Sequence, residues 1–385
     1  PFWLKGTPAF SWREVPRTSP PQAAAVEACT GPARMAPLAA GDTVAVTGAA
    51  GFVGAWIVSE LLGSGYKVRA CLREASSRKA EFLRRMPGHD AGRLSLHSCD
   101  LTQEGAFDEA FAGCQGVVHA AADPDLSLER RASEYPETTA FIVGSIKKAP
   151  SVSRVVFTSS VAALAGDADL EEFRARPVIS EDRSCSLENL NGYSLGKIRS
   201  EALIIEAARE SGGRWDVLIT NPTDNLGPVL AEHHAQEREA WTPWQCIVAR
   251  ILEGRDFPQT FDWRPWWIVD VRDTALAHIR LLESASARDG SRYLVYSGES
   301  IWVEELGGRL TELLPGTDLD PSAAPVELSS PECAQRAREI WSGCTLSNDR
   351  IRQEVGLSFR PLHETLRDCA LSLVAVAGVT LRKRS

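Results

Sequence analysis

Methionine and tyrosine are scarce, two and five among 385 residues, and the nine cysteines form no Cys-x-x-Cys pair. The missing pair removes the common zinc-ribbon and thioredoxin-like readings. Scattered thiols fit a reducing, cytoplasmic protein. No Asn-x-Ser/Thr sequon survives, because Asn221 is followed by proline. The seven histidines lack metal-ligand spacing, so no metal is expected, and His233-His234 reads as a polar loop. Excess positive charge is missing too. A formal net charge of −9 argues against nucleic acid or an anionic membrane as the main partner. Long apolar runs are absent: residues 371–381 are apolar but too short to span a bilayer, and Arg382-Lys383-Arg384 follows. A terminal helix packed on the core is expected there, with no membrane anchor. Residues 1–40 are rich in Pro, Ala and Arg and carry no apolar signal core, which predicts a disordered extension with Met35 as a candidate natural start.

What the chain has is an apolar content of 44%, ample for a core. Its organising stretch is Thr43-Val-Ala-Val-Thr-Gly48-Ala-Ala-Gly51-Phe-Val-Gly54. Val44 and Val46 alternate as in a buried strand, and Gly48 allows a sharp turn into a helix. Gly51 would clear the approach of a phosphate to the first helical amides, and Gly54 would let helix and strand pack closely. Val53, Trp56, Ile57, Leu61 and Leu62 recur at helical spacing before Gly63 and Gly65. The Gly-x-x-Gly-x-x-Gly spacing is a weak signal alone, and the strand-helix-strand context strengthens it.

Further strands are predicted at 67–73, 93–99, 116–120, 153–160 and 215–221, with helices at 107–111, 138–148 and 192–210 between them. Such alternation gives an α/β fold with a doubly wound parallel sheet. Gly48, Arg73, Asp100, Ala120 and Ser160 all fall at strand carboxyl ends, where such sheets collect ligands. Beyond residue 228 the pattern loosens into helices near 244–252, 271–282, 301, 346 and 362 and a strand at 291–296. The expected division is therefore an extension (1–40), a dinucleotide-binding domain (41–228) and a smaller, mainly helical substrate lobe (229–385), from which strand and helix segments return to the sheet. Trp241, Trp244, Trp263, Trp266 and Trp267 crowd into that lobe, either lining an apolar pocket or forming its core.

Tyr193 and Lys197 lie one helical turn apart and face the same way. A free phenol titrates near 10 and is a poor acid at neutral pH. An ammonium about 4 Å away would favour the phenolate by about 4 kcal/mol at an effective dielectric near 20, before desolvation, and Lys197 is expected to supply it. A hydroxyl at Ser160 could hold a carbonyl oxygen while Tyr193 protonates it.

These motifs together, with Val68-Arg-Ala-Cys-Leu-Arg73, Asp100-Leu101, Gly116-Val-Val-His-Ala120, Val156-Phe-Thr-Ser-Ser160, Pro222-Thr-x-x-x-Gly-Pro228 and Val269-Asp-Val-Arg-Asp-Thr-Ala-Leu-Ala-His278, resemble the extended short-chain dehydrogenase/reductases. Within them the chain is most similar to the dihydroflavonol reductase and cinnamoyl-CoA reductase group, over roughly residues 43–282. The resemblance implies a Rossmann fold, a catalytic trio of Ser160, Tyr193 and Lys197, and Lys197 also on the nicotinamide ribose. It places cofactor contacts at Gly48, Gly51, Phe52, Val53, Gly54, Arg73, Lys79, Asp100, Leu101, Ala120, Ala121, Tyr193, Lys197, Pro222, Thr223 and Asn225. An arginine at the end of the second strand suits a 2′-phosphate, so NADPH is expected ahead of NADH, with Arg78 or Lys79 adding charge; a surface pair with Glu74 is the bland alternative for Arg73.

The implied partner is a small-molecule carbonyl substrate, an aldehyde or ketone, bulky or aromatic, on a monomer or homodimer. A hydroxysteroid-type dehydrogenase, a sugar-nucleotide epimerase and a dinucleotide sensor without turnover are the alternatives. Three departures bear on this. No asparagine occurs between Leu101 and Glu188, removing the helical asparagine many relatives use in a proton relay; Asp224 and Asn225 replace apolar residues; and Asn191-Gly192 and Ser194-Leu195 differ from the CoA-reading surroundings of the tyrosine.

Overall fold

The protein is described by a computed structural model covering residues 35–382, apart from 124–125, 166–169, 184, 186, 188–189, 231–241, 256–263, 318 and 320–330. Trp241, Trp263 and His233-His234 lie outside the described residues, as does the extension up to residue 34.

Strand β1 (Thr43–Thr47) is followed by α1 (Phe52–Gly63), β2 (Lys67–Leu72), β3 (Leu94–Ser98), β4 (Gly116–His119), α2 (Leu128–Lys148), β5 (Arg154–Thr158), α3 (Gly192–Glu210) and β6 (Asp216–Pro222). Then come β7 (Asp224–Leu226), α4 (Pro243–Leu252), β8 (Ile268–Asp270), α5 (Val271–Leu282), β9 (Arg292–Val295), α6 (Leu306–Leu313) and α7 (Leu362–Ala375). Seven strands form one sheet in the order β3-β2-β1-β4-β5-β6-β9, and every neighbouring pair is parallel. The doubly wound α/β fold expected from the sequence is the fold observed. The sheet order reverses between β1 and β4, so the crevice above their carboxyl ends is the switch point where ligands bind in such sheets.

The central strands are apolar because both faces are covered. On one face Ile57, Val58 and Leu61 of α1 pack with Ala275, Ile279 and Leu282 of α5 against Val44, Val46, Val118, Val156 and Leu218. On the other, Ile142 and Ile146 of α2 and Ile204 of α3 meet Val117, Val155, Phe157 and Val217. Each such aliphatic side chain, removed from water, contributes roughly 1.5–3 kcal/mol. The strand at 292–295, late in the chain, is not part of a separate lobe: β9 pairs with β6 at the edge of the main sheet.

One buried charge ties these layers together. Arg154 of β5 makes a two-pronged pair with Asp216 of β6, and its Nη1 donates to the carbonyls of Leu281, Leu282 and Ser284 at the carboxyl end of α5. Carbonyls at the carboxyl end of a helix run short of partners within it, and a cation is the favourable group there. Its Nη2 also reaches the Met35 carbonyl, while Leu38 is buried and its amide donates to Leu282. The expectation of disorder through residue 40 is thus corrected for its last residues, which gain apolar burial and a backbone bond.

The later lobe has its own core, in which α4, α6 and α7 bury Val248, Leu252, Leu306, Leu310, Leu366 and Leu373 around Trp266. Trp266 is a core residue there, 0% exposed, and Trp267, 3% exposed, is buried in a separate cluster with Phe173, Leu294 and Trp341. Of the apolar C-terminal stretch only residues 371–375 are helical, as the end of α7, while Val379 beyond it is buried in the same core as Trp266; no helix among the described residues is long and apolar enough to cross a membrane.

Candidate active site

The turn after β1 is held by backbone geometry. Gly48 has a φ of 69°, in the left-handed region, and a Cβ there would stand 2.9 Å from the Ala121 Cα. A Cβ on Gly54 would overlap the Gly48 carbonyl oxygen. Gly51, exposed, is the N-cap of α1, and no side chain caps the helix. The amide end of α1, next to Phe52 and Val53, lies at this turn, and the residues fit the diphosphate of a dinucleotide. Ala120 and Ala121 close the opposite wall, where the Thr47 hydroxyl accepts from the Ala121 amide and bonds His119 Nδ1 at 2.8 Å. Burial first, then the charge of Lys197, pushes His119 down to about 3, so its ring is neutral.

At the end of β2, Arg73 is 68% exposed and pairs with Asp123 at 3.4 Å rather than with Glu74. Arg78 and Lys79 follow on an exposed 3₁₀ turn. Asp100 accepts from the amide and hydroxyl of Thr102, which hold its carboxyl below the usual range, with a smaller contribution from Arg73. Leu101 is half-buried beside it. These groups border the same end of the sheet as the glycine turn.

Ser160, Tyr193 and Lys197 are brought together. Ser160 follows β5 and caps a short 3₁₀ turn. Tyr193 and Lys197 stand in the first turns of α3, capped by Asn191, whose side chain accepts from the Ser194 amide at 2.9 Å. The helix is placed by two glycines that the sequence reading passed over. A Cβ on Gly192 would overlap the Leu128 carbonyl, and one on Gly196 the Arg131 carbonyl, so the backbones of α2 and α3 touch there. Tyr135 consequently meets Tyr193 edge-on, with ring centroids 6.1 Å apart. The signal was present as Gly192-x-x-x-Gly196.

Helix α2 starts at Leu128, ten residues before the predicted 138–148, with Ser127 as its cap and Pro136 inside. A proline removes the donor for the carbonyl four residues back. That carbonyl, Ala132, instead accepts from Arg199 Nη1 of α3 at 2.9 Å.

The acidified phenol expected from Lys197 is corrected. Burial raises the Tyr193 pKa above its ordinary value; the Ser160 hydroxyl and the Arg131 charge work in the opposite direction, and Asp224 adds to the rise. Lys197 Nζ donates to the Thr158 carbonyl at 2.9 Å, 6.0 Å from the Tyr193 ring centroid. Burial pushes its ammonium down to about 8, opposed by Glu201 and assisted by Arg131. The cation acting on the phenol is Arg131, whose guanidinium lies 5.9 Å from the ring.

Pro222 ends β6 and Thr223 follows it, where the Thr223 amide and hydroxyl both donate to the Val295 carbonyl. Asn225 accepts from Thr274 and donates to its own loop at Thr223. Asp224 is engaged by Arg264 through both carboxylate oxygens, at 2.8 and 3.0 Å, and by the Trp267 amide. The Arg264 guanidinium stacks over Trp267 at 4.5 Å. The polar residues that replace apolar ones after the proline are thus satisfied internally. Among the described residues no cluster of His, Cys, Asp or Glu could hold a metal ion.

Strand order, glycine turn and the Ser-Tyr-Lys corner define a nucleotide-binding α/β protein of the dehydrogenase/reductase class. The NAD dependent epimerase/dehydratase family matches residues 44–295, and the chain belongs to that family. A dihydroflavonol 4-reductase of Zea mays is 33% identical over 338 residues, covering 85% of each chain. Cinnamoyl-CoA reductase 1 of Oryza sativa subsp. japonica is 31% identical over 342 residues, covering 86% of this chain and 90% of its own. Among solved structures, yeast methylglyoxal/isovaleraldehyde reductase Gre2 complexed with NADPH superposes with a TM-score of 0.68 at 25% identity, over 87% of this chain and 99% of its own.

Proposed function

We propose that the protein is an NADPH-dependent oxidoreductase that reduces the carbonyl of an aldehyde or ketone to an alcohol, with bulky or aromatic carbonyl compounds as the substrate class. The observation carrying this reading is the Ser160 hydroxyl at the Tyr193 phenol, with Lys197 one turn on. The reductase relatives support it, and two of them bear names of bulky aromatic substrates.

The amide end of α1, with Gly48, Gly51, Phe52, Val53 and Gly54, would hold the diphosphate. Arg73 and Lys79 would meet the 2′-phosphate, Asp100, Leu101, Ala120 and Ala121 would flank the adenosine side, and Pro222, Thr223 and Asn225 the nicotinamide. The cofactor, when bound, supplies the hydride. Ser160 donates to the substrate oxygen and orients it; Tyr193 gives that oxygen its proton. Arg131 favours the departing proton by stabilising the phenolate left behind. Lys197, charged below about pH 8, holds the ribose and the field around it. General acid chemistry of this kind contributes about 10²- to 10⁴-fold.

The test is loss of nicotinamide absorbance when purified protein meets NADPH with small aliphatic aldehydes, bulky aromatic aldehydes and ketones, alongside Tyr193→Phe. Turnover of the bulky compounds that disappears in Tyr193→Phe is expected. NADPH binding with no turnover of any carbonyl would overturn the reading.

A further inference from the structure

Behind the Ser-Tyr-Lys corner lies a fully buried carboxylate that the reaction scheme above does not use. Glu201 sits on α3 one turn beyond Lys197 and is 0% exposed. Its Oε1 accepts from Asn221 Nδ2 at 2.8 Å and its Oε2 from Arg292 Nε at 2.7 Å. The same Asn221 amide donates to the Ser160 carbonyl at 3.0 Å. Arg292, at the start of β9, also donates to the Arg183 carbonyl. A lone buried carboxylate is costly, and its persistence calls for compensating cations and donors. Three elements supply them here: α3, β6 and β9.

We propose that Glu201 is the positioning residue of this site: its carboxylate sets a buried negative charge one helical turn from Lys197 and, through Asn221, fixes the backbone of Ser160. The inference deepens the function proposed above and rests on that reading for the importance of Lys197. The groups facing Lys197 are Arg131 and Tyr135 from α2, His119 from β4, the Thr158 carbonyl from β5, and Tyr193 and Glu201 on its own helix. Of these His119 is neutral and Arg131 repels, which leaves Glu201 as the anion that opposes burial. Arg292, paired with Glu201 Oε2, carries the opposite charge, so removing it should strengthen the field of Glu201 at Lys197 while the carboxylate stays ionised.

The experiment is the titration of Lys197 in the full chain carrying ¹³C-labelled lysine, its resonance identified by loss in Lys197→Met. In the unaltered protein a midpoint near 8 is expected. Glu201→Gln, equal in size but uncharged, should lower it by roughly one unit, and Arg292→Met should raise it by a smaller amount. Glu201→Gln places an N–H₂ opposite a donor and so weakens folding; should it fail to fold, Arg292→Met still reports whether the Glu201 charge reaches Lys197. A midpoint that fails to fall in a folded Glu201→Gln, or that stays the same in Arg292→Met, overturns the proposal. A protein that shows the opposed shifts yet reduces no carbonyl would sink the activity and leave the role of Glu201 standing.

Discussion

The two halves of the site are built by different physics. The turn after β1 is determined by what cannot fit: Gly48 and Gly54 leave no room for a side chain, and backbone atoms alone set the shape. The corner of Ser160, Tyr193 and Lys197 is determined by charges and a hydrogen-bond donor that come from afar, the charges of Arg131 from α2 and Arg292 from β9 and the Asn221 amide from β6. Sterics act only between atoms in contact, whereas the field at a buried phenol sums over the whole fold. The first half should therefore break all at once and the second should tune by degrees.

The sharpest break is Gly54→Val. Its added atoms meet the Gly48 carbonyl, which is backbone and cannot swing away. We expect NADPH binding to vanish and stability to fall by about 3 kcal/mol or more, read by urea unfolding and by cofactor fluorescence. Tyr193→Phe should lower kcat by about 10²- to 10⁴-fold while NADPH affinity stays the same, since the phenol hydroxyl serves chemistry and not the fold. Equal loss in binding and in rate would show that the two halves are not separable. Arg73→Asp stands between the two halves, on an exposed strand end. It should cost about tenfold in NADPH over NADH preference, a difference of about 1.4 kcal/mol, and unchanged preference would remove Arg73 from the assignment.

The mildest effect is pH. Lys197 has a folded value pushed down to about 8 from an ordinary 10.5. Above the folded value the folded chain has released a proton that the unfolded chain still holds, so this group makes stability rise between about 8 and 10.5; below 8 its cost is present in full. Activity runs the other way, halving near pH 8 as the ammonium is lost. A rate profile flat through pH 8 to 9 would separate Lys197 from catalysis.

Much of the frame was readable from residues because it rests on local patterns. The ends of α3 and α5 agree with 192–210 and 271–282, and the glycine spacing placed the turn after β1. The start of α2 was not readable: Leu128-Glu-Arg-Arg is polar and Pro136 signals a break, and only the distant Arg199 and the glycines of α3 make that helix profitable. The residues Ser160, Tyr193 and Lys197 were legible as a motif. Their electrostatics were not, because Arg131, Glu201 and Arg292 are brought to them by tertiary packing. Lys197-x-x-x-Glu201 was visible as a helical pair, though its burial was not. The tryptophan crowd was ambiguous in sequence because burial, not composition, decides whether a ring lines a pocket or fills a core; Trp266 and Trp267 fill one.

The contact of Gly192 and Gly196 with the backbone of α2 makes the phenol immovable relative to half the sheet. A protein with such a fixed acid has little freedom to adapt to a new molecule by shifting its proton donor. Diversity among chains of this architecture must then arise away from the contact of these two helices, at positions whose substitution leaves undisturbed the place where the proton waits.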